Sequence, residues 1–166
     1  MQVSPVRSEN PVAYLPAAGP VDGQAVIDSA LRILEQRLRG VIAEVNSPND
    51  AKNFLQLRLS TLEHEVFAVM FLDNRHRLIA FEELFRGTID GAAVYSREVV
   101  KAALYQNAAA VILSHNHPSG DTSPSEADRR ITARLREALG LIDVRVLDHI
   151  IVSATNTYSF AENGGI

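Results

Sequence analysis

Residues Ala108–Asp128, AAAVILSHNHPSGDTSPSEAD, decide how this chain is read. The apolar run Ala108 to Leu113 has the length and composition of a buried strand, and it leads directly into His115 and His117. On a strand, the period of two puts both imidazoles on one face. A polar turn punctuated by Pro118 and Gly120 then leads into a helix. Ser123, Pro124 and Glu126 fit a capping box, with Ser123 as the N-cap, Pro124 at the first helical position and Glu126 at the third. That start puts Asp128 in the second turn and Ser125 one turn earlier, on neighbouring parts of one helix face. Two ring nitrogens from a strand end and a carboxylate from the next helix make a three-ligand set. Three protein ligands are what a catalytic zinc takes, so that water fills the fourth position.

Working outward, Ser96 caps a helix running to about Gln106, just before the histidine strand. Further upstream, Val66 to Leu72 is a continuous apolar run of a buried central strand, bounded by Asp73-Asn74. Leu78 to Phe81 returns as its hairpin partner across the Asp73 to Arg77 turn. Downstream, Val144 to Val152 and Thr157 to Phe160 read as the final strands. Ser47 to Leu59 is a helix with Ser47 as N-cap, Pro48 at its first position, and Ala51, Phe54, Leu55 and Leu59 turned inward. Gln24 to Arg39 shows Ile27, Ala30, Leu31, Leu34 and Leu38 at helical spacing, an amphipathic helix ending near Gly40 whose stripe covers the main domain or meets a partner. Before it, Pro5, Pro11, Pro16 and Pro20 mark a flexible arm. Helices and strands interleave without repeats, which predicts an α/β or mixed α+β fold around one mixed sheet. The expected organisation is an arm over 1–23, a helix and linker over 24–46 and a single domain over 47–166.

The chain of 166 residues is long enough to bury a core, and 46% hydrophobic with 22% charged residues is ordinary for a globular domain. The absence of cysteine excludes disulfides and thiolate metal sites. No apolar stretch approaches a membrane span, and no secretory leader is evident, so the expected location is the cytoplasm. A net charge of −4 gives no overall attraction to nucleic acid. Arg129, Arg130, Arg134 and Arg136 crowd the helix after the histidine loop, and are read as a solvated face balanced by Glu126 and Glu137. His64-Glu65 fails the His-Glu-x-x-His zinc helix because position 68 is alanine, and a zinc deaminase would need a Pro-Cys-x-x-Cys element that is missing.

The spacing His115-x-His117, seven residues, Ser125, two residues and Asp128 resembles the JAMM signature of JAB/MPN metalloproteins. The wider text, ELFRGTIDGAAVYSREVVKAALYQNAAAVILSHNHPSGDTSPSEADRRIT followed by LDHIIV, is similar to the bacterial RadC-like branch, over roughly Ser47 to the C-terminus. The resemblance implies a JAB/MPN-like domain with a mixed sheet flanked by helices, cytidine-deaminase-like in broad architecture. It implies one zinc per chain on His115, His117 and Asp128, completed by an upstream glutamate. Glu65, which abuts the Val66 run, is the expected general base, with Glu63, Glu82 and Glu83 as competitors. For Glu65 to reach the site, the Val66 strand should lie antiparallel or offset to the Ala108 strand. Ser125 is expected to donate to an oxyanion, Asn116 to pack on the opposite face, and His149 to be structural.

The function so implied is a zinc-dependent hydrolase of the JAMM type, a metalloprotease or isopeptidase acting on an unidentified peptide or protein. The alternative is a zinc-stabilised scaffold without turnover, associated with DNA repair or mobile elements. Longer RadC-like proteins carry an N-terminal helix-hairpin-helix region, for which this chain is too short; that weakens the expectation of DNA binding.

Overall fold

Continuous apolar runs and amphipathic helices sort here into a sheet with a helical layer on each face. The structure is a computed structural model that describes residues 22–38, 48–87 and 94–166. The arm up to residue 21, the Ser47 cap and the helix end near Gly40 lie outside the described residues. The elements are α1 (Gly23–Leu38), α2 (Pro48–Leu59), β1 (Val66–Leu72), β2 (Leu78–Arg86), α3 (Ser96–Tyr105), β3 (Ala110–Asn116), α4 (Glu126–Gly140), β4 (Arg145–Val152) and β5 (Thr157–Ser159).

The five strands form one mixed sheet in the order β2-β1-β3-β4-β5. β1 pairs antiparallel with β2 and with β3, whereas β3 and β4 run parallel and are joined through α4. All seven residues of β1 and of β3 are buried, as a strand covered on both faces requires. Alternation divides the apolar side chains between two cores. Ala68, Met70, Ile112 and Ile150 face Phe54, Leu55 and Leu59 of α2 and Leu31 of α1. Phe67, Val69, Val111 and Leu113 face Val99 and Ala103 of α3 and Leu135 and Leu139 of α4. The stripe of α1 thus covers the domain through α2, and an Arg58–Glu35 ion pair at 2.8 Å ties the two helices.

Several element bounds differ from the sequence expectation. β3 begins at Ala110 and continues through Ser114, His115 and Asn116, all buried, because their polar atoms are bonded within the fold. Ser114 Oγ donates to the Ile150 carbonyl at 2.7 Å, for example. β2 runs on past Phe81 to Arg86, since an edge strand tolerates Glu82 and Glu83. Ser96 is not the cap of α3 but its first residue, preceded by Tyr95, whose side chain makes no capping bond. The start of α4 also shifts: the N-cap is Ser125, not Ser123, and Glu126 is the first helical residue, not the third. Asp128 consequently sits in the first turn.

Candidate metal centre

The site lies at the carboxyl end of β3, where strand, turn and helix meet. Because β3 extends to Asn116, His115 projects from its last turn of pleat onto the α4 face, and Phe67 of β1 lies beside it with ring centroids 6.3 Å apart. His117 follows the strand, its N–H donating to the Val152 carbonyl at 2.9 Å. The turn then folds back, with Gly120 at a φ of 91° that a side-chain-bearing residue rarely adopts. This brings the Asp121 carbonyl to 2.6 Å from His117 Nδ1. A carbonyl can only accept, so Nδ1 carries a proton, and in the uncharged ring Nε2 is the nitrogen that presents a lone pair.

Asp128 is oriented by the helix start itself. Ser125 and Asp128 form a reciprocal capping box: Asp128 N–H donates to Ser125 Oγ at 3.1 Å, and Ser125 N–H donates to Asp128 Oδ2 at 2.7 Å. Ser125 Oγ–H also donates to Oδ2, at 2.6 Å. The other oxygen, Oδ1, is left 3.3 Å from His115 Nε2. His117 Nε2 stands 3.0 Å from His115 Nε2 and 3.9 Å from Asp128 Oδ2. His115, His117 and Asp128 are therefore a group that could hold a metal ion, their ligand atoms all within 4.8 Å of one another. A tetrahedral ion with bonds of about 2.0–2.2 Å would set such atoms roughly 3.3–3.6 Å apart, so the donor set fits one without rearrangement of the backbone.

Electrostatics favour the metal-ready form. Burial drives the His115 imidazole down to about 4, a shift that the Asp128 carboxylate opposes and His117 reinforces. His115 is uncharged at neutral pH, as a ligand must be. Burial also holds His149 well below the ordinary histidine value.

Glu65 directly precedes β1. Phe67 pairs with His115 across the antiparallel β1–β3 ladder, and Glu65 stands two residues before Phe67 in the chain. The antiparallel arrangement is the one that the Glu65 expectation required. Its main chain is held on both sides by Asn116, which accepts from Val66 N–H at 2.7 Å and donates to the His64 carbonyl at 3.0 Å. Asn116 thus faces away from the imidazoles, as expected, and anchors the start of β1. Of the competing carboxylates, Glu82 is bonded by Gln106 and Glu83 is exposed, both on the edge strand β2.

The residue the sequence reading undervalued is His149. Rather than merely filling β4, its ring is fully buried, with Nε2 2.8 Å from His115 Nδ1 and Nδ1 2.6 Å from Thr132 Oγ1. A histidine inside an apolar strand was the available signal; nothing in its spacing linked it to His115.

The sequence matches the family described as RadC-like JAB domain over residues 45–165. A UPF0758 protein of Marinobacter nauticus is 57% identical over 141 residues, covering 85% of this chain and 62% of that relative. One of Nitrosococcus oceani is 58% identical over 142 residues, with 85% and 62% covered, and one of Vibrio cholerae is 57% identical over 141 residues, with 84% and 87% covered. The chain spans less than two thirds of the Marinobacter and Nitrosococcus relatives.

Proposed function

This chain belongs to the RadC-like JAB domain family, and on that premise we propose that it is a zinc-dependent hydrolase cleaving an amide bond, a metalloprotease or isopeptidase. The observation that carries the reading is the convergence of His115 Nε2, His117 Nε2 and an Asp128 oxygen at the end of β3. Zinc on these three residues would supply a Lewis acid, lowering the pKa of a water towards about 7 and polarising the scissile carbonyl.

The chain's own groups do the rest. His115 enters as an uncharged ring, so no proton has to leave it before it binds. Glu65 takes the proton of the attacking water and passes it to the leaving nitrogen, one carboxylate serving as base and then as acid. Ser125 donates to the oxyanion, its Oγ–H turning from Asp128 Oδ2 as negative charge develops on the substrate. Asn116 keeps the Glu65 main chain in place through His64 and Val66.

The first experiment is zinc per chain by elemental analysis, followed by hydrolysis of a peptide library with the parent and Glu65→Gln. About one zinc in both proteins is expected, with turnover only in the parent. An unchanged rate in a zinc-loaded Glu65→Gln would refute the role of Glu65. A parent that takes up no zinc would refute the metalloenzyme reading.

A further inference from the structure

Three short contacts run through the protein behind the metal ligands, and their proton order can be deduced from one end. Thr132 Oγ1 lies 2.6 Å from the main-chain carbonyl of Asp128. The carbonyl has no proton to give, so the hydroxyl donates to it. The same hydroxyl oxygen must then accept from His149 Nδ1 at 2.6 Å. An uncharged imidazole carries a single N–H, so His149 Nε2 is an acceptor, and His115 Nδ1, 2.8 Å away, donates to it. That leaves His115 Nε2 with a bare lone pair. Asp121 holds a proton at Nδ1 of His117, so in the uncharged ring Nε2 is the bare nitrogen. The two Nε2 atoms stand 3.0 Å apart, and with both rings uncharged they turn two lone pairs on one another, an arrangement that a cation relieves.

We propose that His149 and Thr132 are positioning residues for the metal. Acting through the His115 ring, they fix the tautomer in which Nε2, and not Nδ1, is offered to the ion. The inference rests on the zinc reading above and deepens it. The circuit is closed: it leaves one ligand, His115 on β3, crosses β4 at His149, enters α4 at Thr132 and ends on the main chain of a second ligand, Asp128. It therefore also ties the first turn of α4 to the strand that α4 must face. The His149 ring is held for this purpose between Phe160, stacked at 4.9 Å, and the edge-on Phe67 at 5.6 Å. Hydrogen bonds of this kind from a ligand's other nitrogen typically contribute about 10–100-fold in metal affinity.

Two measurements test the proposal. Long-range proton–nitrogen spectra of the metal-free protein read the tautomers directly: both His115 and His149 should carry the proton on Nδ1, and Nε2–H on His115 would overturn the assignment whatever the zinc content. Zinc affinity by chelator competition is then compared in the parent, His149→Phe, Thr132→Val and Thr132→Ser, alongside thermal melting of each metal-free protein. His149→Phe keeps an aromatic ring between Phe67 and Phe160 but removes the acceptor, and should bind zinc about 10–100-fold more weakly. Thr132→Val should also weaken binding, and Thr132→Ser, which retains the hydroxyl, should restore it. Should His149→Phe fail to fold, the Val and Ser pair at Thr132 decides. Folded His149→Phe and Thr132→Val with parental zinc affinity would overturn the inference while leaving the zinc reading intact. A parent without zinc affinity would overturn both.

Discussion

Asp128 divides one carboxylate between two tasks. Oδ2 accepts from the N–H and hydroxyl of Ser125 and so closes the helix cap, while Oδ1 faces His115. Helix start and carboxylate orientation are therefore a single interaction, and disturbing it should have two readouts. Ser125→Ala removes the cap acceptor for Asp128 N–H, and a lost cap of this type costs about 1 kcal/mol. A lower melting temperature and weaker zinc binding are both expected. Parental zinc affinity in this variant would show that the cap does not orient the carboxylate. The sequence contains two overlapping box patterns here, Ser123 to Glu126 and Ser125 to Asp128. Preference for glutamate at the third helical position selects the first; the fold uses the second, because its carboxylate also has His115 to face. Local capping preference contains no information about a partner on another element.

At the scale of elements, strands β1 and β3 were legible as apolar runs, and their ends were not. β3 was expected to stop at Leu113 because Ser114, His115 and Asn116 are polar, yet each is buried and bonded within the fold. The three residues of the group that could hold a metal were singled out by their spacing, whereas His149 was assigned to the strand that holds it and no further. Its importance comes from the parallel pairing of β3 with β4, which puts Leu113 opposite His149 and so brings the latter within reach of the His115 ring. Asn116 makes the matching connection on the other side, between β3 and the start of β1. In Asn116→Leu the buried Val66 N–H loses its acceptor, which costs about 1–3 kcal/mol. Because His115 and His117 are untouched, such a variant should keep zinc while its peptidase rate falls with the displacement of Glu65. Equal losses of zinc and rate would instead mean that Asn116 supports the whole strand end.

Across the molecule, two apolar cores share one sheet, and the face that carries His115 is the one closed by α3 and α4. Two buried, uncharged histidines at its edge make that face sensitive to acid. The folded-state value of His115 lies below its unfolded value of about 6.5, so between those limits the unfolded chain binds more protons. Stability of the metal-free protein should accordingly be full above pH ~6.5 and decline as pH falls towards 4, by on the order of 3 kcal/mol for His115. His149 is shifted in the same direction and adds to the decline. Denaturant melts across this window would check the sign, and a His149→Phe protein should lose part of the dependence. No described helix is long and apolar enough to cross a membrane.

The order of the strands has a temporal consequence as well. A nascent chain that has emerged as far as Asp128 already carries His115, His117 and Asp128, but β4 is still to come. Synthesis adds residues at roughly 5–20 per second, so for one to a few seconds the three residues exist without the strand that carries His149. On the proposed role of His149, loading of an ion at full affinity would wait for the last fifth of the chain, and a polypeptide cut short before His149 would display the complete signature yet hold metal poorly.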